Sequence, residues 1–182
     1  MSLIIVIFVN YCKVKQLKMN IDNYEKHSVG VKALILSKLY YSVLSKSLET
    51  LEVERYFSVL NFLHDNNGCN QQYICNNLAI DKTAMVKVID YLIKANIVER
   101  KLNPDDRREY FIVLTKKGIK QTTEIVNAFK RIDEKIFANT SKQDQLVFHK
   151  MLGQLASSLK ELPATDLFFN YKKTEKKRKI NK

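Results

Sequence analysis

The segment NPDDRREY, residues 103–110, places two carboxylates directly beside two arginines in a sequence typical of a tight turn. An arginine at the tip of a hairpin is drawn into a DNA minor groove narrowed at A·T steps, because negative potential is concentrated there. A neighbouring carboxylate can hold the guanidinium in one orientation through charge-assisted hydrogen bonds. These residue types therefore suit nucleic-acid binding. The alternative is a solvated turn whose surface ion pairs contribute about 0–1 kcal/mol.

The sequence contains no comparable set of residues for catalysis. His27, His64 and His149 lie far apart in the sequence, and none stands with a serine, cysteine or acid in a nucleophile pattern. The chain has only four glycines and no Gly-rich phosphate loop. We therefore predict a protein that is not an enzyme and needs no cofactor.

The three cysteines, Cys12, Cys69 and Cys75, are odd in number and show no metal-ligand spacing. This pattern argues against a disulfide framework and against a zinc site, so we predict no metal and a reducing, cytoplasmic location. Cys69 precedes a predicted helix, a position that favours an exposed thiolate.

The net charge of +12 is concentrated at the two ends of the chain. The last twelve residues, YKKTEKKRKINK, hold seven cations and one acid, and residues 1–18 hold three lysines and no acid. The residues between them carry only +3. The position of the charges is therefore more informative than their sum.

The elements that position these residues are indicated by hydrophobic periodicity. Apolar residues recur at helical spacing from Tyr24 to Leu48 and from Thr50 to Asn66. Gly68 suits a left-handed residue that ends the second helix, and Asn70 suits the N-cap of a short helix, QQYICNNL.

A further helix follows the short one. It is capped by Asp81 and runs through Lys94, and Asn96 suits the left-handed residue after it. Two strands, Ile97 to Leu102 and Glu109 to Leu114, are joined by a turn at Pro104. Thr115 begins a long helix to about Ala138. Thr140 with Gln143 forms a capping box for a last helix that ends before Pro163.

This order predicts a mainly α fold with a small β-wing: a winged helix-turn-helix flanked by N- and C-terminal dimerisation helices. The tight turn from Ala79 to Asp81 lets the second helix of the pair stand across the first, with its outer face free for a major groove. That face carries Lys82, Thr83, Val86, Lys87 and Asp90. Asn70, Gln71 and Gln72 at the start of the preceding helix can reach phosphates or base edges.

The segment LAIDKTAMVKVIDYLIKANIVERKLNPDDRREYFIVLTKKG, from Leu78 to Gly118, resembles the recognition helix and wing of the MarR family of bacterial transcriptional regulators. The order of elements matches the family from Tyr24 to Leu162. A helix-turn-helix alone is weakly specific, whereas DDRR followed six residues later by LT is strongly specific at this distance from the recognition helix.

The resemblance implies roles for individual residues. Arg108 matches the arginine that enters the minor groove, Asp106 matches the wing acid, and Arg107 is the neighbouring phosphate contact. Lys87 stands where the family often has a recognition-helix arginine, and Lys82 and Thr83 match the polar start of that helix. This chain departs from the family at three positions: Asn96 replaces a glycine, while Ala84 and Val86 replace frequent hydroxyl residues. Either apolar side chain could contact a thymine methyl group.

The resemblance also implies an interlocked homodimer that binds near-palindromic double-stranded DNA, acts as a repressor, and is released by a small ligand or an oxidant. Tyr40, Tyr41, Tyr56 and Phe57 could line a pocket for a phenolic or aromatic effector, or could be core or dimer interface. Cys12 invites comparison with oxidant-sensing members of the family. Cys75 matches a position where the family prefers a small core residue.

The termini suggest three parts. Residues 1–20 include an apolar run of about eight residues, too short to span a bilayer and without the flanks of a secretory signal. They are either a leader translated from an upstream start, with Met19 as the true beginning, or a segment packed on a partner. Residues 21–170 form the domain, with its DNA-binding lobe at about 51–117, and no stretch is expected to enter a membrane.

Residues 171–182 are a basic tail whose composition predicts disorder. The tail could add salt-dependent affinity for nucleic acid or could serve solubility alone. The alternative function is accordingly a winged-helix module that uses this tail to bind RNA or a protein.

Overall fold

The computed structural model describes residues 21–51, 56–104, 106 and 108–163 of the chain. Within these residues the secondary structure, in chain order, is α1 (Ile21–Tyr24), α2 (Val29–Ser47), α3 (Phe57–Asp65), β1 (Cys69–Asn70), α4 (Gln71–Leu78), α5 (Lys82–Lys94), β2 (Val98–Leu102), β3 (Tyr110–Leu114), α6 (Lys116–Ile136) and α7 (Lys142–Lys160). The predicted fold class, mainly helical with a small wing, is confirmed. None of the described helices is long and apolar enough to cross a membrane.

The first two predicted helices are shorter than their apolar patterns. Instead of one helix from Tyr24, the chain forms the short α1 and then α2, separated by Ser28 in an extended conformation. The helix expected from Thr50 begins at Phe57 in the structure, and residues 52–55 lie outside the described part. Gly68 is left-handed as predicted, with φ of 86°, but it lies two residues beyond Asn66, the residue that caps α3.

The sheet has the strand order β1-β3-β2, and both pairings are antiparallel. The wing strands agree with the prediction to within one residue at their starts. The two-residue strand β1 is not predicted by the sequence, because a segment this short has no detectable periodicity. In β1, Cys69 pairs with Ile112 and Asn70 pairs with Phe111.

Helix caps account for most of the boundaries. The side chains of Asn70, Asp81 and Thr115 accept hydrogen bonds from the backbone N–H groups of Tyr73, Ala84 and Gly118. The predicted N-caps Asn70 and Asp81 are thus confirmed, and Thr115 caps the long helix that it is predicted to begin. The predicted cap at Thr140 is wrong. Ser141 caps α7 instead, accepting a hydrogen bond from the backbone N–H of Asp144, and its hydroxyl donates to the Asp144 carboxylate at 2.6 Å.

The hydrophobic core lies between α3, α4, α5, α6 and the sheet, and the end of α2 closes it. Its fully buried side chains include Leu44, Leu60, Leu63, Ile74, Met85, Ile89, Leu92, Ile97, Ile112 and Ile125. By contrast, no residue of α7 is buried, and only Leu44 is buried in α2. The apolar faces of these two helices are thus left open in a single chain.

The junction between the wing and α6 explains the LT and Gly of the sequence pattern. Thr115 N–H donates to the carbonyl of Ile97 at 3.0 Å, and the Thr115 hydroxyl donates to the carbonyl of Asn96 at 2.7 Å. A side chain at Gly118 would collide with the backbone carbonyl of Ile97, so only glycine permits this approach.

Candidate nucleic-acid interface

Helix α5 is held across α4 by a three-residue turn. Ala79 adopts a left-handed conformation with φ of 50°, which the sequence does not signal because alanine rarely occupies this region. The backbone N–H groups of both Ala79 and Ile80 donate to the carbonyl of Cys75. Asp81 then starts α5, and Asn96 ends it in the left-handed conformation expected for that residue, with φ of 58°.

The two faces of α5 differ in polarity. Met85, Ile89 and Leu92 are buried, whereas the opposite face carries the exposed side chains of Lys82, Thr83, Val86 and Lys87. Two cations, a hydroxyl and a methyl-bearing side chain can contact phosphates, base edges and thymine methyl groups. The geometry needed for the predicted recognition helix is therefore present.

The start of α4 is a more constrained part of the surface. The Asn70 side chain is engaged at both ends, since its oxygen caps α4 at 2.8 Å and its amide donates to the Glu109 carboxylate at 3.4 Å. Gln72 is exposed and donates to Asn76 one turn later at 2.9 Å, and Gln71 is half-buried. Asn70 thus links the start of α4 to the wing.

The wing hairpin is closed by backbone hydrogen bonds. Asn103 N–H donates to the carbonyl of Glu109, and Glu109 N–H donates to the carbonyl of Asp106, both at 3.0 Å. The Asp106 carboxylate accepts a hydrogen bond from the backbone N–H of Arg108 at 2.9 Å. Asp106 therefore shapes the backbone of the turn, rather than gripping the Arg108 guanidinium as the sequence suggests. Both side chains are exposed, and Asp105 and Arg107 lie outside the described residues.

One contact between α5 and the wing is not predicted by the sequence. Asp90, expected on the free face of α5, is ion-paired with Arg100 of β2: its Oδ1 lies 2.9 Å from Arg100 Nη2. The two charges are ten residues apart on different elements, so no spacing rule connects them. The only signal in the sequence is their opposite sign.

The aromatic residues considered for an effector pocket fall into separate contacts. Tyr40 stacks on Phe129 of α6 with ring centroids 5.8 Å apart, and Tyr41 meets the same ring edge-on at 6.4 Å. The Tyr40 hydroxyl donates to the Asp133 carboxylate at 2.8 Å. Burial, together with that hydrogen bond and the negative charge of Asp133, raises the pKa of Tyr40 above its ordinary value.

Tyr56 and Phe57, the other two residues predicted to line a pocket, make different contacts. The rings of Tyr56 and Tyr91 are 5.1 Å apart, and Phe57 is buried in the core. Burial raises the pKa of Tyr41 too, although a hydrogen bond with Ser58 opposes the effect. Tyr40 and Tyr41 thus form one contact group with α6, whereas Phe57 belongs to the core.

The two described cysteines are poor nucleophiles. Cys75 is buried as expected, and burial raises the pKa of its thiol. The prediction of an exposed thiolate at Cys69 is wrong. The residue is half-buried in β1, and burial raises the pKa of its thiol as well. Cys12 lies outside the described residues.

The histidines occupy unrelated places. His64 Nδ1 lies 2.6 Å from the carboxylate of its neighbour Asp65, and His149 packs beside the rings of Phe137 and Phe148. Across residues 21–51, 56–104, 106 and 108–163, no three His, Cys, Asp or Glu side chains are grouped as metal ligands.

Comparison with known proteins agrees with this geometry. A family model described as "MarR family" matches residues 51–109, which include α3 to the tip of the wing. A curated relative from Thauera aromatica, named as a transcriptional regulatory protein for the hcr operon, is 26% identical over 108 residues. The match covers 59% of this chain and 65% of that protein, so this chain spans just under two thirds of the relative's length.

Solved structures show the same fold. A MarR transcriptional regulator from Methanosarcina mazei is 24% identical, with a TM-score of 0.65 and coverage of 74% of this chain and 98% of that one. CouR, a transcriptional repressor bound to a 23-mer DNA duplex, is 22% identical, with a TM-score of 0.63 and coverage of 76% and 99%. PcaV of Streptomyces coelicolor, in complex with its natural ligand, is 20% identical, with a TM-score of 0.61 and coverage of 74% and 95%.

Proposed function

We propose that the chain is a winged helix-turn-helix transcriptional regulator of the MarR family, and that it acts as a homodimeric repressor on near-palindromic operator DNA. The observation that carries the proposal is the exposed polar face of α5 beside a charged wing. This surface comprises the four side chains Lys82, Thr83, Val86 and Lys87 together with the tip at Asp106 and Arg108. CouR, which has the same fold, is bound to a DNA duplex.

The division of labour on DNA follows from the chemistry of these groups. Lys87 and Thr83 read base edges in the major groove, and Val86 contacts a thymine methyl group. Arg108 enters the adjacent minor groove, and Arg107 neutralises a phosphate. Asn70, Gln71, Gln72 and Lys82 contact the backbone at the edge of the major groove. Asp106 contributes by fixing the turn on which the two arginines stand.

The homodimer is supported by the open apolar faces of α2 and α7. Exposed side chains on α2 include Val31, Leu34 and Val43, and those on α7 include Leu146, Met151, Leu152, Leu155 and Leu159. A contiguous apolar face of this kind marks an association surface, because water contact with it is unfavourable. Pairing these helices across a two-fold axis buries both faces and places two recognition helices on one operator.

A phenolic or aromatic effector would release the DNA by binding beside Tyr40 and Tyr41. Tyr40 and Tyr41 of α2 contact Phe129 of α6, so a ligand there would contact both helices. Tyr56, which contacts Tyr91, and Phe57, which is buried in the core, lie outside this contact group. PcaV, which has this fold, is known with its natural ligand bound. Cys12 is the residue to examine if an oxidant is the effector.

The remaining parts keep the roles that their composition suggests. Residues 21–170 form the regulator, with a DNA-binding lobe at about 51–117. The basic tail at 171–182 adds affinity that depends on salt but not on DNA sequence. The cysteine pattern is consistent with a cytoplasmic protein.

Selection of bound DNA from random duplexes, repeated with phenolic ligands and with peroxide, tests operator and effector class together. We expect an enriched palindrome and its loss with one of the added compounds. Recovery of random sequence from the full-length dimer would contradict the operator proposal.

The contribution of the wing is tested with Arg108→Ala, which should weaken binding of the enriched duplex by about 1–3 kcal/mol. Lys142→Ala, which removes an exposed cation from α7, serves as a matched control and should have little effect. Deletion of residues 171–182 should mainly flatten the dependence of affinity on salt. If the deletion abolished binding while Arg108→Ala bound normally, the alternative of a tail-dependent RNA or protein module would be favoured.

A further inference from the structure

The ion pair between Asp90 and Arg100 joins the recognition helix α5 to the edge strand β2 of the wing. The strand order is β1-β3-β2, so within the described part of the chain β2 is an edge strand that pairs with β3. Arg100 lies between Val98, which is buried, and Leu102, the last residue of the strand, on the same face as both. Its guanidinium reaches the Asp90 carboxylate of α5 at 2.9 Å. The pair therefore ties the free edge of the wing to α5.

A second ion pair on the same strand provides a contrast. Glu99 Oε1 lies 3.1 Å from Lys101 Nζ, and both side chains belong to β2. These residues alternate with Arg100, so they stand on the opposite face of the strand. Their contact joins two residues of one strand and fixes nothing outside it. The two carboxylates are similarly exposed, at 46% for Asp90 and 50% for Glu99.

We propose that Asp90 and Arg100 are positioning residues that set the angle of the wing against α5, so that Arg108 meets the minor groove while α5 occupies the major groove. This inference rests on the proposed function, since it concerns how that DNA surface is held. Strand β2 is tied to α5 at its middle residue, and Arg108 lies beyond the outer end of the strand, on the turn. A small rotation of an untied strand would move the tip further than its base.

The pair also removes an electrostatic conflict. A carboxylate on the face of α5 that approaches DNA repels phosphates, and the guanidinium of Arg100 neutralises it. Two explanations of the role of Asp90 therefore predict opposite changes in DNA affinity when its charge is removed. If only charge mattered, Asp90→Asn would raise the net positive charge and strengthen DNA binding. If the pair positions the wing, the same substitution weakens binding in spite of the added charge.

The first experiment measures the affinity of two full-length variants for the duplex enriched by selection. The variants are Asp90→Asn and the matched control Glu99→Gln. We expect Asp90→Asn to weaken binding about threefold to tenfold and Glu99→Gln to leave it unchanged or slightly stronger. Equal or tighter binding by Asp90→Asn would overturn the proposal.

A double-mutant cycle tests whether Asp90→Asn lowers DNA affinity through the position of the wing tip. In the Arg108→Ala background, Asp90→Asn should have less than half its effect, because the tip no longer has an arginine to aim. The exchange Asp90→Arg with Arg100→Asp should recover part of the lost affinity. Full additivity with Arg108→Ala would assign the loss to a general disturbance of the fold and would contradict positioning.

A measurement without DNA separates this inference from the proposed function. Hydrogen–deuterium exchange of peptides that span β2 and β3 should be faster in Asp90→Asn and unchanged in Glu99→Gln. If exchange changes as expected but no duplex is bound, the proposed function fails and the tether stands. If DNA binds and exchange is the same in both variants, the tether fails and the proposed function stands.

Discussion

The DNA-binding lobe and helix α7 use apolar side chains in opposite ways. In α3 to β3 the large aliphatic residues form a closed core, with Leu60, Leu63 and Ile89 fully buried. In α7 the same residue types lie outside, with Leu152 exposed by 48% and Leu155 by 42%. The lobe satisfies its hydrophobic pattern within one chain, whereas in the proposed dimer a second chain covers the apolar face of α7. Substitutions in the two regions should therefore differ in whether their effect depends on protein concentration.

The largest expected effect is on the lobe core. Leu60→Ala should lower the free energy of unfolding by about 2–5 kcal/mol, because it removes buried methyl groups and leaves a cavity. The loss should be the same at micromolar and at tenfold higher concentration, as measured by urea denaturation. A loss that shrinks at high concentration would mean that the lobe also depends on association.

Gly118→Ala should have the next largest effect. The added methyl group would meet the backbone carbonyl of Ile97, and relieving that contact requires the start of α6 to move away from the wing. We expect about 1–3 kcal/mol of destabilisation, measured in the same denaturation experiment. Gly153→Ala on α7 is the matched control, because nothing lies within 4 Å of a methyl group there. Equal losses in the two variants would contradict a steric cause.

The helix caps should give smaller effects in both regions. Asp81→Ala removes the hydrogen bond to the Ala84 N–H and should cost about 1 kcal/mol of stability. Ser141→Ala removes the corresponding cap of α7, and its effect should grow as the protein is diluted below the dimer dissociation constant. Identical concentration dependence for the two caps would weaken the distinction between the regions.

The smallest effect on the monomer is expected at the exposed face of α7. Leu152→Asp should change the unfolding free energy of the isolated chain by about 0.5 kcal/mol or less, while shifting the dimer to monomer in analytical ultracentrifugation. Lys150→Asp, which introduces the same residue at a position that is already charged and exposed, should leave the dimer largely intact. A stable monomer of the unmodified chain at micromolar concentration would contradict the dimer proposal.

The sequence predicts features that depend on neighbouring residues. Asn70, Asp81 and Thr115 cap their helices because each bond spans only three residues, and Asn96 and Gly68 take left-handed conformations that their types favour. Where two adjacent residues compete, the pattern is ambiguous: Thr140 and Ser141 can both cap α7, and the reciprocal contact with Asp144 favours Ser141.

Features that depend on tertiary placement could not be predicted in this way. Periodicity shows that one face of α2 is apolar, but it does not show whether the core or a second chain covers that face. The Asp90–Arg100 pair forms because β2 runs alongside α5, and the two-residue strand β1 forms because β3 offers it an edge. Asp106 contacts a backbone N–H rather than a guanidinium, and composition alone cannot choose between these two acceptor roles.

The tight junction at Thr115 and Gly118 has a mechanical consequence. The end of β3, the residue before β2 and the first turn of α6 are locked by hydrogen bonds and by a contact that admits no side chain. Because these contacts fix the base of the wing to the start of α6, a tilt of α6 would carry the base of the wing with it.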